Sequence, residues 1–210
     1  MTEYLIPTQE AEAEFTEKRS RFIGHIWRVE DEEEARARIE EVKKCHYDAR
    51  HNCWCFRLRG GVERYSDDGE PQGTAGQPML NVFQREEIEN VCCVVTRYFG
   101  GVLLGAGGLT RAYSRAAKDA LDAAGRSIVR RWVEVVQTIP YGFFERFKLE
   151  VSGQGGALGQ IDYASEITVH VLLPEQNVEP FTRRLIEMTS GQLHMEVVGE
   201  TYKDIPLENK

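Results

Sequence analysis

Hydrophobic positions along the first half of the chain change between strand spacing and helix spacing. Residues 12–29, interrupted at Gly24, have the mixed pattern of two strands, and apolar residues three and four apart predict an amphipathic helix over 31–47. Residues 52–59 alternate and end at a glycine pair, which predicts a strand and a hairpin. The nearly uninterrupted apolar run 91–99 is typical of a strand buried on both faces.

The clearest helical pattern runs from Leu109 to Ala124, and Gly125 is well placed to end that helix. Beyond it the pattern predicts a strand over 128–140, a helix over 141–151, strands over 156–163 and 166–173, a helix over 178–189 and a strand that reaches Tyr202. This order, βαββαβ, is typical of a ferredoxin-like sandwich. We therefore predict an α+β fold in two domains, residues 1–126 and 127–210.

Composition and charge favour a globular protein of a reducing compartment. The 210 residues are 41% hydrophobic and 29% charged, which argues against a disordered or collagen-like chain. A net charge of −8 repels polyanions overall, so any nucleic-acid binding must be local. The sequence has no membrane-spanning run and no signal-peptide pattern at its start, so we expect a cytoplasmic protein with no membrane association. The five cysteines, two of them adjacent at 92–93, predict buried reduced thiols.

The segment from Arg97 to Arg111 passes from the apolar strand through five glycines into the start of a helix. The first N–H groups of a helix are unpaired and its dipole favours negative charge, so this geometry invites an anion; an equally weighted alternative is that the glycines only permit tight turns. The glycine spacing matches neither a Walker loop nor a dinucleotide fingerprint, so no cofactor is expected. The candidate phosphate-binding residues are Arg97, Gly100, Gly101, Gly105, Gly107, Gly108, Thr110 and Arg111.

Two charged patterns near this segment each have two interpretations. Arg111, Arg115 and Lys118 form a stripe along which a phosphodiester backbone fits, although a solvated face with ordinary ion pairs is favoured. The loop over 65–77 carries three carboxylates that suit a hard cation or an acid/base pair if they converge, although turn chemistry is favoured. The possible walls of the site are His51, Asp67, Asp68, Glu70, Gln72, Thr74 and Tyr98. The histidines and cysteines lack zinc-site spacing, so no metal site is predicted.

Two long motifs resemble the IMPACT family, in particular its bacterial YigZ-type members. They are YSDDGEPQGTAGQPML at 65–80 and VVTRYFGGVLLGAGGLTRAY at 94–113, supported by KRSRFIG at 18–24 and HNC at 51–53. The resemblance implies an N-terminal βαβ-type domain with the fold of a small-subunit ribosomal protein, RNase PH and domain IV of elongation factor G. It also implies that the C-terminal half resembles the ferredoxin-like domain V of that factor.

The resemblance also bears on function. Eukaryotic members regulate translation by interfering with activation of an amino-acid-starvation kinase through an additional domain, for which 210 residues leave no room, so that partner is not expected. The favoured hypothesis is a non-enzymatic RNA- or ribosome-binding protein, linked to translation regulation, that holds phosphate at the glycine turn. One alternative is an enzyme that uses the acidic loop, with or without a metal ion, on a small phosphorylated or nucleotide-like substrate. The other is a protein-docking regulator that uses Tyr98 and Phe99.

Overall fold

A computed structural model of the chain describes residues 3–189 and 195–207. The chain divides into two compact units. The N-terminal unit comprises Tyr4–Ile128 and Ile205–Leu207, and the C-terminal unit comprises the described residues of Val129–Asp204 with Glu3. Each unit combines a sheet with helices, so the predicted α+β class is confirmed.

The N-terminal unit is built on a five-stranded sheet. Its elements are β1 (Tyr4–Pro7), β2 (Ala11–Glu17), β3 (Ser20–Arg28), α1 (Glu32–Cys45), β4 (His51–Arg57), β5 (Glu63–Ser66), α2 (Gly76–Arg85), β6 (Val91–Tyr98) and α3 (Ala106–Ala124). The strand order is β2-β3-β6-β4-β5, and every neighbouring pair is antiparallel. Since β3 and β4 both run opposite to β6, they are parallel to each other, and α1 connects them across β6. This arrangement is a split βαβ unit.

Helices cover both faces of this sheet. Cys53 and Cys55 of β4 point into the core shared with α2 and α3, whereas Phe56 points into the core shared with α1, so the predicted alternation is confirmed. The buried run on β6 follows from the same layering, because both of its faces are covered. At Gly24 of β3 a Cβ atom would lie 2.5 Å from the backbone oxygen of Ala116, so the glycine lets α3 pack directly on the strand.

Two strands of this unit differ from the sequence prediction. β1 was not predicted, because four residues carry too little periodicity to be recognised; Leu5 forms a parallel bridge with Ile88. β5 extends to Ser66, into a stretch predicted to be irregular, because Tyr65 pairs with Cys55 across the hairpin. Contacts with other segments of the chain decide both elements.

The C-terminal unit contains most of β7 (Arg126–Ile139) and of β10. Its other elements are a 3-10 turn (Tyr141–Phe143), α4 (Phe144–Gly153), β8 (Ala157–Tyr163), β9 (Ile167–Pro174), α5 (Glu175–Thr189) and β10 (Glu196–Pro206). The strand order β10-β7-β9-β8 is the fourth, first, third and second strand of the unit, as in ferredoxin-like sandwiches. The predicted βαββαβ order is therefore confirmed, while the likeness to domains of elongation factor G stays a prediction.

Candidate functional site

A cavity of about 340 Å³ lies in the N-terminal unit, beside the end of β6, the loop before α2 and the first turn of α3. We call it the site cavity. Its polar lining is Arg50, His51, Glu70 and Arg97, and its apolar lining is Pro71, Phe99, Leu103, Leu104 and Leu109. Gly69, Gly105 and Ala106 contribute backbone to the wall. The cavity therefore combines one polar side with a largely apolar one.

A buried ion pair forms the polar side of the site cavity. The side chains of Arg97 and Glu70 are 6% and 3% exposed, and Arg97 Nη1 donates to Glu70 Oε1 over 2.6 Å. Tyr113 of α3 donates its hydroxyl to the same oxygen over 2.8 Å, and Ser20 Oγ accepts from Arg97 Nη2 over 3.3 Å. Burial is the main cause that raises the pKa of Tyr113, so its hydroxyl keeps the donated proton. These hydrogen bonds offset the cost of burying two charges.

His51 stands next to this pair, because β4 and β6 place it opposite Arg97 in the sheet. His51 Nδ1 lies 2.7 Å from the carbonyl oxygen of Asp68, and a carbonyl only accepts, so Nδ1 carries a proton. His51 Nε2 lies 3.8 Å from Glu70 Oε1, which is too far for a hydrogen bond. In the neutral side chain Nε2 is therefore an acceptor.

The carboxylates of the acidic loop accept hydrogen bonds from other groups of the chain. The Asp67 carboxylate accepts from the backbone N–H groups of Gly73, Ala75 and Gly76 over 2.8 to 3.0 Å, which satisfies the start of α2. Asp68 Oδ2 accepts from the backbone N–H of Asn52 over 2.7 Å. Asp67, Asp68 and Glu70 thus have separate partners, and no three His, Cys, Asp or Glu residues among those described are placed to hold a metal ion. The turn interpretation of this loop is supported.

The other predicted wall residues lie elsewhere. Gln72 and Thr74 do not line the site cavity, and the Thr74 hydroxyl donates to the Pro71 carbonyl within the loop. Tyr98 points to the opposite face of the sheet from Arg97, where its hydroxyl lies 3.0 Å from His46 Nδ1 and 3.2 Å from Asp48 Oδ1. Of the predicted walls, His51 and Glu70 therefore line the cavity.

The glycine segment is divided between two cavities. Gly105 lines the site cavity, whereas Gly108 and Arg111 line a neighbouring cavity of about 150 Å³, and Leu104 lines both. At Gly100 a Cβ atom would lie 2.0 Å from the backbone of Arg19, so this glycine is required by close contact between two turns. Neither cavity is lined by Gly100, Gly101, Gly107 or Thr110. The eight candidate residues thus do not form one pocket.

The charged stripe on α3 is mostly paired. Arg115 Nε lies 3.2 Å from Asp119 Oδ2, and Lys118 Nζ lies 2.6 Å from Asp122 Oδ1, so this part matches the interpretation as a solvated face. Arg111 is exposed and has no acidic partner among the described residues.

Four exposed cations surround the start of α3, and we call them the basic rim: Lys18, Arg19, Arg50 and Arg111. Arg50 lines the site cavity, Lys18 and Arg111 line the neighbouring one, and Arg19 contacts the glycine turn. None of the four has an acidic partner in the part of the chain that the structure describes. Of these four, only Arg111 was among the predicted phosphate-binding residues. The other three lie in turns that are far from α3 in sequence and come close to it only in the folded sheet.

Four of the five cysteines are buried and one is exposed. Cys53, Cys55, Cys92 and Cys93 are free and buried, as predicted, and burial raises the pKa of their thiols, which makes them unreactive. The prediction is wrong for Cys45, which is exposed at the end of α1.

Comparisons with known proteins show which family this chain belongs to. The sequence profile described as Impact N-terminal domain matches residues 18–121, and Domain of unknown function (DUF1949) matches residues 138–192. IMPACT family member YvyE of Bacillus subtilis is 34% identical over 95% of this chain and 93% of its own length. The chain belongs to the IMPACT family.

Other relatives of this IMPACT family chain span bacteria and eukaryotes. IMPACT family member YigZ of Escherichia coli is 31% identical over 95% of this chain and all of its own length. Protein IMPACT homolog of Dictyostelium discoideum is 35% identical over 48% of this chain and 30% of its own length. A solved structure titled "Crystal structure of an hypothetical protein" is 31% identical, with a TM-score of 0.60 over 95% of this chain and 98% of that one. In the described residues, no helix is both long and apolar enough to cross a membrane.

Proposed function

We propose that this IMPACT family chain is a non-enzymatic RNA-binding protein linked to the regulation of translation, and that it binds phosphate groups at the start of α3. The observation that carries the proposal is the basic rim, four unpaired cations around a helix N-terminus. Unpaired N–H groups and the helix dipole favour an anion at the same place. The link to translation is supported by family membership, because eukaryotic IMPACT proteins regulate translation.

Local charge resolves the apparent conflict with the net charge of −8. The two acidic residues of α3, Asp119 and Asp122, are paired with Arg115 and Lys118, and among the described residues Glu17 is the one carboxylate that lines the neighbouring cavity beside Lys18 and Arg111. The cations of the basic rim keep their charge available to a ligand. Screening in physiological salt limits charge effects to about 8 Å, so distant carboxylates do little to weaken a phosphate held at the rim.

Arg97 was predicted to bind phosphate, but in the structure it forms a buried ion pair. Its guanidinium is buried and its charge is compensated by Glu70, so it is a poor direct ligand for phosphate. Removing it would leave the Glu70 carboxylate buried without its ion partner, which would damage the fold as well as the site. Variants that test phosphate binding therefore belong at the exposed rim.

The test is co-sedimentation with ribosomes and separated subunits across a salt series. We compare the wild type with the double variant Arg50→Ala, Arg111→Ala and with a matched control, Arg85→Ala, Arg146→Ala, whose two arginines are also exposed. We expect salt-sensitive binding that the rim variant loses and the control keeps, because each removed contact lowers the salt dependence by the release of about 0.7 counterions from single-stranded RNA. The proposal is wrong if the wild type binds nothing at any salt, or if the two double variants behave alike.

A further inference from the structure

We infer that the site cavity takes one unpaired base of a single-stranded RNA whose phosphates lie on the basic rim. This inference rests on the proposed function and adds the kind of RNA that is bound. It follows from the juxtaposition of a charged rim, a partly apolar cavity beside it, and a buried carboxylate in the cavity wall.

The position and size of the cavity favour a base. Its volume of about 340 Å³ lies at the lower end of the range of roughly 300–1,000 Å³ for small-ligand sites, and Arg50 belongs both to its lining and to the rim. A backbone held at the rim thus presents its bases next to the opening. A base in a duplex is stacked on both faces and must be extruded before it enters a pocket, so an unpaired base enters at lower cost.

Exposed apolar side chains form part of the cavity lining. Phe99 is 42% exposed and Leu103 is 82% exposed, although both are large hydrophobic residues. Neighbouring exposed apolar side chains indicate a contact surface. The Phe99 ring is also held in place, because the Arg97 guanidinium carbon lies 5.4 Å from its centroid. An aromatic ring fixed at the opening of a cavity is a stacking platform for a base.

Glu70 supplies a hydrogen-bond acceptor for the edge of that base. Glu70 Oε1 accepts from both Arg97 and Tyr113, but no group among the described residues donates to Oε2. Oε2 is not one of the buried atoms that lack a partner, so it keeps accessible surface and can accept a hydrogen bond from a group in the cavity. Unpaired bases expose the N–H groups of their Watson–Crick edges, which are donors of the required kind.

The experiment measures fluorescence anisotropy with three labelled probes of equal length at low salt. The probes are a short single-stranded RNA, the same strand annealed to its complement, and an abasic ribose-phosphate chain. A purely electrostatic surface prefers the duplex, which carries twice as many phosphates. We expect the wild type to bind the single strand roughly 5- to 150-fold more tightly than the abasic chain, the range that stacking of one base provides, and more tightly than the duplex.

Variants at Phe99 test base insertion independently of the choice of probe. Phe99→Leu keeps an apolar side chain but loses the ring, so we expect it to bind the single strand as weakly as the abasic chain, whereas Phe99→Tyr keeps wild-type binding. Tyr47→Leu changes an exposed aromatic residue outside the cavity and serves as the control. Equal affinity of the wild type for all three probes, or an unchanged affinity of Phe99→Leu, overturns base insertion and leaves phosphate binding intact. If no probe binds, the proposed function itself fails.

Discussion

The buried pair of Arg97 and Glu70 gives the sharpest prediction about stability. Arg97→Met leaves a carboxylate that is 3% exposed with Tyr113 as its remaining donor. Removing one partner of such a pair costs about 3–5 kcal/mol, because the other charge stays buried and unpaired. Glu70→Leu leaves the Arg97 guanidinium in the same position, so we expect a similar loss of unfolding free energy.

The double variant Arg97→Met, Glu70→Leu distinguishes a buried charge from lost packing. It removes both charges and leaves Tyr113 without its carboxylate acceptor, which costs about 1–3 kcal/mol. Two single losses of at least about 3 kcal/mol each add to about 6 kcal/mol, so the double variant should be more stable than additivity allows by at least about 3 kcal/mol.

Urea unfolding followed by tryptophan fluorescence measures these losses. A Trp132→Phe background leaves Trp27 and Trp54, which both belong to the N-terminal unit and report on its unfolding. The exposed Arg111→Met change is the matched control and should alter stability by no more than about 0.5 kcal/mol. Additive losses in the double variant, or equal effects of Arg97→Met and Arg111→Met, would show that the pair is not buried in solution.

Four further outcomes are expected. Gly24→Ala should lower the thermal stability by about 1–3 kcal/mol, since its Cβ would lie 2.5 Å from the Ala116 oxygen, and a calorimetric scan measures the loss. Asp67→Asn should cost at least about 2 kcal/mol in urea unfolding, because three backbone N–H groups lose a charged acceptor. In a thiol-reagent assay Cys45 alone should react in the native protein, and all five thiols after unfolding. Burial lowers the pKa of His25 despite the nearby Glu12 carboxylate, so folding stability should fall as the pH falls below the ordinary histidine value of 6.5, and His25→Phe should remove this component.

Much of the fold was predictable because several elements carry their own periodicity. β6 is apolar along its length because both faces of the sheet are covered. α3 has one apolar face because it packs against the rest of the unit on one side only. In the C-terminal unit the order of elements predicted the ferredoxin-like topology, because each strand and helix there is long enough to show its pattern. β1 was missed since its formation depends on contacts from elsewhere in the chain.

The site was predictable only in part, because its contacts join distant segments. Arg97 was singled out as a charge at the end of an apolar strand, yet its partner Glu70 precedes it by 27 positions, and Tyr113, which donates to the same carboxylate, lies on α3. A charge in a buried run predicts that some partner exists, but the strand register decides which one. Arg50 was missed for the same reason, since the site cavity exists only after β4 pairs with β6.

The charges of α3 also determine the direction from which an anion is expected to approach. Along the helix, Arg115 and Lys118 have acidic partners four residues further on, and these pairs leave little net charge on the exposed side. Arg111, about one turn nearer the start, has no such partner in the described residues. Uncompensated positive charge therefore increases toward the N-terminus, where the helix dipole has the same sign.

This gradient argues against a backbone that follows the helix side-on, as the stripe suggested, and favours an end-on approach. At the helix start the rim cations come from two turns of the sheet and from α3 itself, so they surround one point instead of forming a line. Such a cluster suits a few phosphates, at most one for each cation, and not a long duplex contact, which agrees with a short single-stranded segment as the ligand. The small number of free cations then limits the salt slope to about −3, because four contacts release about 0.7 counterions each.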